Sequence, residues 1–215
     1  MNQQPGPQDP LVLSYLDLRK AVGIIGCALP FVLAFGNMLL QRQFFIECSI
    51  SDYYYTHMGN VFVGGLCAIG VFLFSVRGYD RRDEVAGRLA CLFAVGVALF
   101  PTNPCAGGTS PIGYLHLTFA ALLFLTLAYF SLALFTETDP EKTPTPQKLQ
   151  RNVVYRVCGW AIVGCILLIA VIKLTALKNL VDPIDPIFWL ESIAVVSFGV
   201  SWLTKGETIL KDEVA

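Results

Sequence analysis

The sequence predicts an all-α fold, a polytopic membrane bundle of six transmembrane helices with both termini cytoplasmic. Three observations carry that expectation. Apolar residues make up 55% of the 215 residues and charged residues only 14%, with a mean hydropathy of +0.62, whereas a soluble chain has roughly a quarter of its residues charged. The apolar residues fall in six continuous runs, near 21–41, 58–76, 86–101, 112–136, 154–174 and 187–204. Lys and Arg, finally, crowd into alternate connections between those runs. About 20 helical residues cross the roughly 30 Å hydrocarbon layer, where only helices and closed barrels satisfy their own backbone. Continuous rather than alternating runs exclude barrel strands.

Each element has its own local warrant. The start, MNQQPGPQDPLVLSYLD, lacks the basic opening and small-residue cleavage site of a secretory signal, so the first span is expected to stay attached. Pro5, Pro7 and Pro10 suggest a loose beginning, and Leu11 to Leu18 reads as a tether or a short interfacial turn. Asp52 is the expected N-cap of span two. Span three is the shortest and needs Arg88 to snorkel from its first turn. Its Ala90, Ala94 and Ala98 form a ridge of small residues that suits a helix interface inside the bundle. Pro111 and Pro186 occupy the first-turn position that helices favour, opening spans four and six. Residues 137–150, ETDPEKTPTPQKLQ, are charged and Pro-rich and are expected to form a flexible cytoplasmic loop within a single domain, 1–215.

Short cytoplasmic loops hold an excess of Lys and Arg. Twelve of the fifteen lie on one side of the six-span arrangement: Arg19, Lys20, Arg77, Arg81, Arg82, Arg88, Lys142, Lys148, Arg151, Arg156, Lys205 and Lys211. Only Arg42, Lys173 and Lys178 lie on the other. Trp160 and Trp202 near the cytoplasmic ends, and Tyr53 to Tyr55 and Trp189 near the external ones, agree as interfacial anchors. A net charge of -1 without a basic tract argues against nucleic acid as a partner, and the absence of GxxxxGK[ST] argues against a nucleotide.

Five of the seven cysteines, Cys27, Cys67, Cys91, Cys158 and Cys165, fall inside spans and read as small hydrophobes. Cys48 and Cys105 fall in the first and second external loops and are the disulfide candidate. Ionisable residues inside spans are expensive and point to function. Near the external starts of spans two, four and six stand His57 and His116, the only two histidines, and Glu191, the only carboxylate well inside an apolar run. His116 and Glu191 each follow a first-turn proline by five residues, a depth of about 7.5 Å, and His57 follows Asp52 by the same interval. The candidate polar pocket is therefore Asp52, His57, His116 and Glu191, with Glu191 expected to pair with His116.

Such a cluster suits three roles: a zinc site, a general base with its orienter, or a hydrogen-bond cluster that fixes helix register. No HExxH or comparable spacing is present, so no metal is expected; were one bound, zinc on His57, His116 and Glu191 would be the choice. Ser49 and Ser51 lack the GxSxG surroundings of a nucleophile, and an N-terminal turn accounts for Ser51 and Asp52 more simply.

Ile50-Ser51-Asp52 between the first two spans, Leu115-His116-Leu117 early in the fourth and Leu190-Glu191-Ser192 early in the sixth resemble the six-span DRAM, Frag and Sfk membrane proteins and related bacterial proteins. The chain departs from that pattern at Tyr53 to Tyr55, where Thr-Gly and Pro-Glu are usual, and at Ser192, where Trp is usual. The resemblance implies a role associated with membrane lipids. The expected function is accordingly an outer-leaflet polar pocket that binds or handles a lipid. A metal-assisted hydrolase or transferase acting on a lipid ester or amide is the alternative, and a small-molecule transporter ranks below it, since no helix looks broken at mid-membrane. No N-x-[ST] sequon occurs, which favours a bacterial source and the inner membrane as location.

Overall fold

The computed structural model describes residues 10–42, 44–75, 80–105, 107–138, 143–175 and 184–210, with side chains from residue 15 onward. Six long helices and no strand occur among the described residues. They are α1 (Pro10–Gln41), α2 (Gly59–Ser75), α3 (Arg81–Leu99), α4 (Pro111–Tyr129), α5 (Pro146–Leu174) and α6 (Pro186–Lys205); α4 ends in a wider π turn, Phe130–Leu134. Four of them, taken as Tyr15–Gln41, Pro111–Leu134, Pro146–Leu174 and Pro186–Lys205, are long and apolar enough to cross a membrane, and α2 is apolar but shorter. α3 is not among them, because five charged residues, Arg81, Arg82, Asp83, Glu84 and Arg88, occupy its first eight positions.

Each helix packs on its neighbours in the chain, and α6 closes against α1, so the six form a ring. The closure depends on glycine. A Cβ on Gly23 would lie 2.8 Å from the Leu203 amide nitrogen, and one on Gly199 would lie 2.6 Å from the Cys27 nitrogen. Small residues let backbones meet where lipid gives helices no hydrophobic reason to associate. The expected alanine ridge behaves the same way: Ala90, Ala94 and Ala98 are buried, and Gly70 of α2 faces Ala94.

The two ends of the ring differ, and we name them for a central residue. At the Ser51 end, the 44–58 connection, residues 100–105 and 107–110 of the connection between α3 and α4, and the start of α6 come together. At the Trp202 end, Arg19 Nη1 donates to the Lys205 carbonyl, so the described beginning and end of the chain share one face. Trp202 packs there edge-on against Phe130, Phe135 and Phe198, and Phe135 packs on Tyr155.

Several boundaries differ from expectation. α1 is one helix from Pro10, so Leu11 to Leu18 is neither a tether nor a separate turn. The loop expected over 137–150 ends early. Thr145 caps α5 by accepting from the Lys148 amide, and Pro146 takes the first turn, so residues 146–150 are helical. Pro at that position costs nothing because its missing N–H would have no helical partner. Pro5, Pro7, Arg77, Lys142, Lys178 and Lys211 lie outside the described residues.

Candidate functional site

The centre of the Ser51 end is a single turn of 3-10 helix, Ser51–Tyr55, between α1 and α2. Asp52 lies inside it and does not cap α2, which begins only at Gly59. The turn is pinned from all sides. The Cys48–Cys105 disulfide, with Cα atoms 6.3 Å apart, ties its approach to the 100–110 connection. Tyr55 Oη donates to the Thr102 carbonyl at 2.6 Å, and the Phe188 amide of α6 donates to the Cys48 carbonyl at 3.1 Å. Tyr53 is fully buried, beside Phe188.

A short helix leaves its first N–H groups without internal acceptors. Glu191, reaching in from the second turn of α6, supplies one: its Oε2 accepts from the Ile50 amide at 2.7 Å, and the Ser51 amide is also directed at the carboxylate. The next amide, Asp52, is taken by Ser49, whose Oγ in turn donates to Asp52 Oδ2 at 2.7 Å. Burial pushes the Asp52 carboxyl above the usual aspartate value, against the opposing hydrogen bond from Ser49. Burial also raises Glu47, with the nearby Asp52 charge adding to the effect, although Asn37 Nδ2 donates to it.

His116, in the second turn of α4, is buried. Its Nδ1 lies 2.6 Å from the Phe100 carbonyl and its Nε2 lies 3.0 Å from Ser51 Oγ. A carbonyl oxygen has no proton to give, so Nδ1 carries the hydrogen. In the neutral ring Nε2 is then a bare acceptor, and the Ser51 hydroxyl donates to it. The helix start that places His116 is itself secured: Ser110 caps α4 through the Gly113 amide, and Asn103 Oδ1 accepts from both the Ser110 amide and its hydroxyl.

Three of the four expected pocket residues, Asp52, His116 and Glu191, thus converge on the 51–55 turn. His57 does not: it is exposed between the turn and α2, and no hydrogen bond joins it to the others among the described residues. Glu191 and His116 are not direct partners either. Glu191 holds the Ile50 amide at the start of the turn, and His116 holds the side chain of the next residue, Ser51. The trio His57, His116 and Glu191 does not come within common reach of an ion. Among the described residues, the one trio of His, Cys, Asp or Glu with ligand atoms within 4.8 Å of one another is Cys48, Asp52 and Cys105, and its sulfurs are joined to each other.

Sequence reasoning set Ser51 aside, and the structure puts it at the centre. Only the proximity of Ser51 to Asp52 in Ile50-Ser51-Asp52 hinted at it, since its partner is 65 residues away. Below Ser51 a cavity of about 50 Å³ opens into the middle of the ring. Ser51 and Glu191 line it, and its other walls are apolar, Leu66, Ile69, Leu123 and Phe198 among them. A larger hollow of about 590 Å³ lies on the flank between α3 and α4, with Arg81 and Arg82 at one end. It contains none of Ser51, Asp52, His116 and Glu191.

No family model, curated protein or solved structure matches the chain.

Proposed function

We propose that the chain crosses a bacterial inner membrane six times, with both termini cytoplasmic, and that the Ser51 end binds a lipid from the outer leaflet. The carrying observation is the junction of two environments at Ser51, with an apolar cavity on one side and hydrogen-bonding groups on the other. A small polar set at the mouth of an apolar space is the usual build of a site that orients an amphiphile. Lys173, exposed in the last turn of α5, supplies positive charge towards Asp52 and Glu191 at this end and suits an anionic headgroup. The twelve-to-three division of Lys and Arg supports the orientation. α3 would cross by snorkelling of Arg88, whose guanidinium pairs with Glu84 near the helix start. The reading agrees with what the resemblance to the DRAM, Frag and Sfk proteins implies.

Two measurements test it. Reporters fused after Ala215 and inserted beside Pro144 should both read cytoplasmic, and an external signal at either would overturn the topology. A photoactivatable phospholipid in vesicles holding the full-length protein should crosslink to residues around the cavity, such as Leu66 and Leu123. Crosslinks confined to the outer surface of the ring would reject the lipid site.

A further inference from the structure

We propose that Ser51 is a nucleophile activated by His116, and that the lipid placed at the Ser51 end is an acyl ester that this pair cleaves. The inference rests on the lipid reading above and adds a reaction to it. The geometry has the parts that nucleophilic catalysis needs: a hydroxyl, a base within hydrogen-bond reach, and a third group that holds the base in one tautomer. Here these are Ser51 Oγ, His116 Nε2 at 3.0 Å, and the Phe100 carbonyl at 2.6 Å from Nδ1. A backbone carbonyl in the third position leaves the imidazole neutral and its Nε2 ready to accept.

The surroundings favour a reactive role over a mere tie between turn and helix. A tie would be served by any buried pair, whereas this hydroxyl stands at the wall of a cavity with apolar sides. An acyl group whose first methylenes enter that cavity would have its carbonyl carbon beside Ser51 Oγ and its alcohol portion on the polar side, near Asp52 and Lys173. Glu191 and the disulfide hold the turn from the backbone side, so the hydroxyl is presented in one position. Nucleophile, base and orienter come from three separate segments, which is why no contiguous motif marks them.

The steps balance as acyl transfer. As the Ser51 Oγ–carbonyl carbon bond forms, His116 Nε2 takes the hydroxyl proton. The bond from the carbonyl carbon to the alcohol oxygen breaks, and His116 returns the proton to that oxygen, leaving acyl-Ser51 and a free alcohol. Water then attacks the acyl-Ser51 carbonyl with His116 again taking the proton, and the carboxylic acid leaves as Ser51 regains its hydrogen. No metal or redox partner is required.

The test uses the full-length protein in phospholipid nanodiscs with a long-chain alkyl fluorophosphonate, which traps activated serines covalently. The expected result is one adduct per chain, mapped to Ser51, absent in Ser51→Ala and slowed at least about a hundredfold in His116→Asn, as loss of a general base predicts. His116→Gln and a melting curve for each variant separate lost chemistry from lost folding. If folded wild-type protein stays unlabelled at Ser51, or if folded His116 variants label at the wild-type rate, the proposal is overturned. The photoactivatable phospholipid distinguishes the two readings. Crosslinking at the cavity without a Ser51 adduct removes the nucleophile and leaves the lipid site. A Ser51 adduct from a short-chain fluorophosphonate without crosslinking keeps the nucleophile and removes the lipid as its substrate class.

Discussion

The Ser51 end and the Trp202 end close the same ring by different means. At the Ser51 end the contacts are directional: a disulfide, Tyr55 to Thr102, Phe188 to Cys48, Glu191 to the start of the turn, His116 between Ser51 and Phe100. At the Trp202 end, aromatic rings fill the space and cationic side chains lie over them, Lys205 over Phe135 and Lys148 over Tyr155. Packing tolerates changes that keep volume, whereas a hydrogen bond tolerates only a narrow range of distance and angle. The Trp202 end is therefore suited to closing the bundle, and the Ser51 end to holding particular atoms in particular places.

The largest expected effect lies at the Trp202 end. Trp202→Ala empties the space between Phe130, Phe135 and Phe198 and should cost about 3 kcal/mol, the low end for an aromatic deletion, since lipid adds no hydrophobic drive of its own. Trp202→Phe should cost much less, because the indole N–H is buried with no acceptor among the described residues. Thermal melts in detergent would compare them, and equal losses would mean that volume is not what holds this end.

Reduction of the Cys48–Cys105 bond, or Cys48→Ser with Cys105→Ser, should cost about 2 kcal/mol. That is the low end for a bridge spanning 57 residues, because helices that stay inserted when the bundle opens lose less chain entropy. Hydrogen exchange should quicken in 44–58 and 100–110 and stay unchanged around Trp202. Uniform quickening would show that the two ends are one cooperative unit.

Next comes Glu191→Gln, which keeps an oxygen for the Ile50 amide but puts an NH2 group in place of the other carboxyl oxygen in a buried site. A loss of about 1–2 kcal/mol is expected. Combined with His116→Ala, the losses should fall short of additive, since the two hold neighbouring residues of one turn, Ile50 and Ser51. Strict additivity would show that the turn does not couple them.

The smallest effect concerns pH. The native Asp52 carboxyl sits above its ordinary value of 3.8, so between the two values the folded protein holds more proton than the unfolded chain. Stability from this residue is then present in acid and is lost as pH rises through the native value. Glu47 acts in the same direction. Asp52→Asn should flatten that part of the stability–pH curve, and an unchanged curve would exclude Asp52 as its source.

How much of this was legible differs by element. The six helices were readable because apolar runs report where a residue prefers to be, which composition records directly. Their ends were less so: α5 begins at Pro146 rather than near 154, since charged residues at a helix start look like loop by hydropathy, and only the Thr145-Pro146 cap marks the boundary. His116 and Glu191 were readable as costly residues in apolar surroundings. His57, chosen by the same spacing, was misplaced because its spacing was counted from Asp52 as a helix cap, and the chain there makes a 3-10 turn instead.

By itself, then, the sequence determined the helical character of the chain, its apolar runs, the shared depth of His116 and Glu191, and the two cysteines outside the runs. Those properties belong to single residues and their near neighbours, and hydropathy and helical rise are enough to read them. Only the tertiary structure decided that Glu191 serves the Ile50 amide across 141 residues and that His116 serves Ser51 rather than Glu191. A hydrogen bond is specified by where two atoms lie in space. Along this chain those positions depend on how the ring closes, through Gly23 against Leu203 and Gly199 against Cys27, and no local pattern around Ser51 records that closure.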